Sequence, residues 1–231
     1  ELSLDFVFVD EVYKLAQPLS NISPRSVVSA FADCSALTSI TTNNGIDLRN
    51  SGLYFTKDSI KYKVLAKNSV QVAQKTYTGG VVIPATVTAG NTFTITGIAS
   101  GAFMNCSGLT SVTTPNSVTT IGWAAFSVCS NLKTLIIKNS TCSIEGDLST
   151  CTALTEYSGP ADPFNKYNSS ESGSFSTLLE KITLTSGALD RNGLDYINLS
   201  YRTLQEIDLS GIENTNIPDM AFNNCYKLEK V

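Results

Sequence analysis

With 231 residues, 42% of them hydrophobic, and 16 basic against 20 acidic side chains for a formal charge of −4, the chain has the composition of a folded protein with a sizeable core. A pI near 4.9 argues against a nucleic-acid partner, because phosphate-backbone affinity depends on clustered Lys and Arg that release counterions. Histidine is absent, which removes Ser-His-Asp and Cys-His nucleophiles, His-bearing zinc sites and imidazole acid–base chemistry together.

The chain opens at Glu1 with neither a Met nor a signal-peptide apolar core, and no run approaches the roughly 20 apolar residues that span a bilayer. It reads as a mature or trimmed chain from which targeting information has been removed, and not as a transmembrane segment. "LDFVFVDEVYKLAQPLS" alternates apolar residues through Val9 and then suggests a helical turn ending before Pro18. Its expected role is a cap over the apolar edge of the first coil. "AFADCSALTSI" (30–40) is the first copy of a phrase that returns later, so residues 1–52 are read as cap plus first repeat.

Residues 53–97 break the phrase. "IKYKVLAKNSVQVAQKTYTGGVVIPATVTAGNTFTITGI" reads as successive strands with turn signals at Lys67-Asn68-Ser69, Gly79-Gly80 and Ala89-Gly90-Asn91. The expectation is an antiparallel β-insert packed through Tyr62, Val64, Val70, Val72, Val82, Phe93 and Ile95. Its Gly pair lacks the spacing of a phosphate-binding loop.

From residue 98 the phrase recurs as "AFMNCSGLTSV" (102–112), "AFSVCSNLKTL" (125–135), "DLSTCTALTEY" (147–157) and "AFNNCYKLEKV" (221–231), with degenerate copies at 175–184 and 201–209. The last residues of the Leu-x-x-Ile/Val/Tyr units fall at 112, 135, 157, 182, 207 and 231, in steps of 23, 22, 25, 25 and 24. A regular period in this range marks a solenoid. Residues 98–231 are therefore about six repeats, and 1–231 one elongated domain. No unit buries its apolar face alone, and stacking does so. Leu132, Leu135 and Ile137 point inward, Thr134 and Ile136 point outward, and the next coil follows about 4.8 Å away in a parallel ladder. Val118 and Ile121, echoed by Thr141 and Ile144, close the back of each coil. Phe103, Phe126 and Phe222 fill the corner, with Trp123 packing beside them. Residues 158–174 loop outward as a polar excursion.

Cys34, Cys106, Cys129, Cys151 and Cys225 occupy one frame position. Free Cys is a compact, usually buried hydrophobe, stacked thiols meet the disulfide dihedral poorly, and no clustered ligand spacing is present. They read as structural thiols, with no metal and no cofactor. Cys142 lies out of frame and is expected near the surface.

The stretch 83–135, with its I-G-x-x-A-F-x-x-C-x-x-L-x-x-V and P-x-S-V phrases, resembles the BspA-like leucine-rich repeat proteins. The Cys precedes Leu-x-x-Val by three residues, unlike the ordinary leucine-rich repeat, where the Asn or Cys follows the last Leu. The resemblance weakens over 147–212 and revives at 221. It implies a β-rich, right-handed leucine-rich-repeat solenoid, α/β by convention, with a parallel β-ladder interrupted by the antiparallel insert. It also implies an extracellular or cell-surface location, since the family is found on oral and gut anaerobes and some protozoan parasites, and adhesive members.

The strand face is the usual working surface of a solenoid. Its outward pairs are Ser39/Thr41, Ser111/Thr113, Thr134/Ile136, Glu156/Ser158, Lys181/Thr183 and Glu206/Asp208. The expected function is a non-catalytic module that binds a host or neighbouring-cell protein, or a glycan, through this face. The alternative is a spacer without a ligand of its own. An enzymatic reading rests only on Glu156, Glu206 and Asp208, because glycoside hydrolysis needs two carboxylates about 5 to 9 Å apart. Val231 stops at a strand without a polar cap. Either the parent chain continues, or a partner or second copy covers that edge, which makes self-association there a further expectation.

Overall fold

The computed structural model describes residues 6–9, 12–15, 54–66, 68–89, 91–146, 148–166, 178–213, 217, 221–222 and 224–230. The chain divides into two compact units, Glu1–Ala73 with Pro84–Thr96, and Gln74–Ile83 with Gly97–Val231. The first repeat, with Cys34, Ser39 and Thr41, lies outside the described residues, as do 167–177 and Val231.

In the first unit, β1 (Phe6–Val9) pairs antiparallel with β2 (Val12–Leu15), Val9 opposite Val12. The helical turn expected after Val9 is thus a strand over 12–15. V-Y-K-L is rich in β-formers, and an interval of two residues suits a hairpin. Antiparallel pairing also joins β3 (Tyr54–Lys57) to β4 (Ile60–Ala66), β4 to β5 (Ser69–Val72), and β7 (Thr86–Ala89) to β8 (Asn91–Ile98), with β8 beside β5. The period-two pattern buries Tyr62, Val64, Val70, Val72, Phe93 and Ile95 on one face. Phe55 adds ring contacts at 5.2 Å to Tyr62 and 5.6 Å to Phe93.

The second unit is a solenoid. Its parallel ladder runs β6 (Gly79–Val82), β9 (Leu109–Thr114), β11 (Thr134–Ile137), β13 (Glu156–Pro160), β14 (Lys181–Ser186) and β15 (Glu206–Asp208). Glu206 forms a further parallel bridge with Lys230. Cross-strand register aligns Val81, Val112, Leu135, Tyr157, Ile182 and Ile207 in one buried column. Leu109, Leu132, Leu154, Leu179 and Leu204 form a second buried column. Each such side chain contributes about 1.5–3 kcal/mol through burial, which is why the Leu-x-x-Val core outlasts every other feature of the phrase. On the back, Gly97 and Ile98 pair in parallel with β10 (Thr120–Ile121), and β10 pairs with β12 (Ser143–Ile144).

Four expectations need correction. Val82, assigned to the packed face of the insert, is 72% exposed. Gly79–Val82 runs parallel to β9, and strand alternation then buries Val81 and Ile83 and turns Val82 out. Cys142 is only 3% exposed, and Thr141 faces solvent. Cys142 stands two residues before Ile144 and Val118 three before Ile121, so the back wall tolerates a one-residue change of frame. Trp123 is 68% exposed, not packed. The fourth is the excursion at 158–174, which begins inside the core. Gly159, Pro160 and Ala161 are buried, and α1 (Asp162–Asn165) buries Pro163 and Phe164.

Phe164 meets Tyr157 edge-on at 4.8 Å and Tyr196 at 5.5 Å. Tyr196 belongs to α2 (Arg191–Asn198), where Asp190 accepts from Gly193 N at 2.9 Å as the N-cap. Gly193, Leu194, Tyr196 and Ile197 form its buried face. In the repeats that lost the A-F-x-x-C phrase, these helices and aromatic rings fill the core instead.

Candidate functional site

Two surfaces recur from coil to coil, the cysteine corner and the outward strand face. At the corner, Ala102-Phe103 and Ala125-Phe126 turn inward and the rings form a column. Tyr77 lies 4.7 Å from Phe103, and Phe103 stacks on Phe126 at 5.3 Å. Phe222, in the same frame, is only half-buried. Cys106, Cys129, Cys151 and Cys225 are buried as free thiols. Three of these thiols reach a backbone carbonyl of the preceding coil. Cys106 Sγ donates to Lys75 O at 3.3 Å, Cys129 Sγ to Phe103 O at 3.0 Å, and Cys151 Sγ to Phe126 O at 3.4 Å. Phe103 O and Phe126 O already accept the turn's own N–H, from Cys106 N at 3.1 Å and Cys129 N at 3.2 Å, and the thiol of the next coil adds a donor to the carbonyl's second lone pair. Cys is the small apolar side chain that supplies one. Burial pushes the Cys129 thiol up to about 12 and the Cys142 thiol up to about 11, and raises Cys225 as well. These thiols are protonated and poor nucleophiles. Among the described residues no cluster of three or more His, Cys, Asp or Glu side chains is arranged to hold a metal ion.

On the strand face, the register brings the outward residues into two files. One file is Gly80, Ser111, Thr134, Glu156, Lys181 and Glu206, and the other is Val82, Thr113, Ile136, Ser158, Thr183 and Asp208. The first file carries charges of alternating sign. Glu206 is held by Lys181 at 3.5 Å and by Lys230 at 2.9 Å, and Thr134 Oγ1 donates to Glu156 Oε2 at 3.5 Å. The hydrogen bond from Lys230, aided by both lysine charges, holds the Glu206 carboxyl below its ordinary range and raises Lys230. Asp208, lowered by hydrogen bonds from Ser210, ends the second file. The second file is otherwise uncharged.

The sequence pointed to every member of these files except Gly80 and Val82. Those two were concealed because T-Y-T-G-G-V-V-I-P lacks the Leu-x-x-Val phrase and reads as insert. The signal available was the hydrophobic alternation Val81/Ile83, which could belong to either sheet.

The repeat geometry has a counterpart in sequence. Residues 88–189 match the family model of the BspA type leucine rich repeat region, in six copies. This part of the chain is similar to the BspA-type leucine-rich repeats. Solved structures similar to this chain include a leucine rich cell surface protein from Faecalibacterium prausnitzii A2-165, at 22% identity over 77% of this chain and 42% of that one, TM-score 0.41. Others are leucine-rich repeat proteins from Bacteroides ovatus ATCC 8483 (22% identity, 75% and 45% covered, TM-score 0.45) and Bacteroides capillosus ATCC 29799 (25%, 56% and 96%, TM-score 0.44). The chain spans less than half the length of the first two. Among curated proteins no significant match exists. No helix among the described residues is long and apolar enough to cross a membrane.

Proposed function

We propose that this repeat chain is a non-catalytic recognition module, displayed at a cell surface or secreted, that binds a protein partner through its strand face. The observation that carries the reading is the difference between the two files. In the first, Lys181, Glu206 and Lys230 on neighbouring rungs already satisfy one another, so a partner gains little there and must desolvate compensated pairs. In the second, Val82, Thr113, Ile136, Ser158 and Thr183 form an uncharged strip of apolar and hydroxyl groups on a rigid sheet. Interface cores are depleted in charge in the same way.

A hydrolytic role is disfavoured by the same geometry. Glu206 is ionised by its two lysines and so is no proton donor, and Glu156 stands two rungs away, roughly 10 Å at the usual strand spacing. Repeat regions of this kind are in general non-enzymatic scaffolds.

The test is a binding screen against immobilised extracellular-matrix proteins, comparing the wild type with Ile136→Glu/Thr183→Glu. The expected outcome is saturable binding that weakens by about tenfold or more in the variant, about 1.4 kcal/mol. Binding unchanged in the variant places recognition elsewhere. No binding by a folded, monodisperse sample favours the spacer role.

A further inference from the structure

The residue directly after the frame cysteine faces solvent in every described coil. It is Ser107, Ser130 and Thr152 in the well-formed repeats, then Arg202, where Tyr201 takes the cysteine's place, and finally Tyr226. A small hydroxyl residue satisfies the turn, so neither a guanidinium nor a phenol ring is needed there for folding. Tyr226 is 78% exposed. It meets the half-buried Tyr201 edge-on, with ring centroids 6.5 Å apart and planes at 78°, which leaves the faces of the Tyr226 ring free of that neighbour. Arg202 lies over the ring of the same Tyr201, its Cζ 5.1 Å from the centroid. Among the described residues Arg202 forms no ion pair, although the protein carries a net negative charge.

We infer that Tyr226, Tyr201 and Arg202 form a binding site for a carboxylate-bearing pyranose, the chemistry shared by hexuronic and sialic acids. The C–H face of a sugar ring carries partial positive charge and packs on the negative face of an aromatic ring. Arg202 presents a planar fork of donors that matches one carboxylate, and stacking on Tyr201 holds its orientation in advance. An acidic peptide would call for a groove or several basic groups in line. One exposed ring beside one guanidinium that has no ion pair among the described residues instead matches a ligand with one ring and one carboxylate. The site is separate from the strand files and takes a different class of ligand, so it does not depend on the protein-binding reading.

Titration calorimetry of the whole chain with trigalacturonate, 3′-sialyllactose, neutral maltotriose and a tri-glutamate peptide tests it. The expected result is saturable binding of at least one of the two acidic sugars, at least about tenfold weaker in Tyr226→Ala and in Arg202→Gln, and retained in Tyr226→Phe. Whichever acidic sugar binds identifies the source of the carboxylate. Both substituted positions lie at the surface, and circular dichroism with thermal melting checks that each variant is folded. The inference is overturned if neither acidic sugar binds, if maltotriose binds equally well, or if tri-glutamate binds and Tyr226→Ala leaves all binding unchanged. The last result would mark a charge-driven peptide contact.

Discussion

Val128 has a backbone φ of 59°, and Asn105, its counterpart one coil earlier, has φ 62°. The corner turn therefore requires the left-handed conformation at this frame position, which Asn tolerates and a β-branched residue does not. Val128 is 49% exposed, so little packing compensates. Its backbone N–H, donating to Thr150 Oγ1 at 2.9 Å, is available to any replacement. Val128→Asn is expected to stabilise the protein by about 1 kcal/mol, read as a raised midpoint in urea with an unchanged slope. An unchanged or lowered midpoint would show that the turn is not strained at this residue. The cysteine of the same turn was legible from its recurrence alone. The twisted backbone beside it was not, because Asn and Val in one frame position look like tolerated variation until φ is known.

At the scale of the element, the Ile121-Gly122 step that opens the corner before Phe126 is a contact between coils. A Cβ on Gly122 would stand 2.6 Å from Ser100 N and 2.9 Å from Ser100 Cα, while Gly122 N donates to Ile98 O at 2.9 Å. Backbone presses on backbone here, so no flexible side chain can give way. Gly122→Ala should cost about 1–3 kcal/mol through overpacking, seen as a lowered thermal midpoint. A variant that melts with the wild type would show that the coils separate freely. The ladder strands were readable in the sequence, because Leu-x-x-Val sets both period and inward face. The two helices were not. Their segments, A-D-P-F-N and D-R-N-G-L-D-Y-I-N, follow no repeat, and Phe164 is packed between Tyr157 of its own coil and Tyr196 of the next. Gly159 makes room for that large ring, since a Cβ there would lie 2.8 Å from Tyr157 Oη.

For the whole molecule, the buried thiols set how the fold responds to alkali. Cys129 and Cys142 rise from 9.0 to about 12 and about 11, mainly by desolvation, and Tyr157 is raised well above its ordinary value for the same reason. Between these values and 9.0 the folded state keeps protons that the unfolded state has lost, so unfolding stability falls as pH rises. It is intact below pH 9 and declines progressively towards pH 11 to 12. Urea midpoints followed across that range should fall, and Cys129→Ala should fall less steeply despite its lower starting stability. A flat profile in the wild type would mean the thiols are not sealed from water. On the acid side, Glu206 and Asp208 are lowered, so their stabilising effect is present above the ordinary carboxylate range and lost as pH falls through it. Both are well solvated, and that loss is small.

The sequence by itself determined the repeat, its inward columns and the outward pairs that the register sets side by side, because period and alternation are local properties of the chain. It also set the family resemblance, carried by residues 83–135. Tertiary structure alone decided which apolar residues escape the core. Val82, Trp123 and Tyr226 have side chains as suited to burial as those of Val81, Phe103 and Tyr157, and only the pairing partner of each segment and the neighbouring coil determine which side of the backbone is covered. The same holds for charge. Glu206 is a potential acid in the sequence and a spent ion in the structure, because Lys181 and Lys230 arrive from coils 25 and 24 residues away.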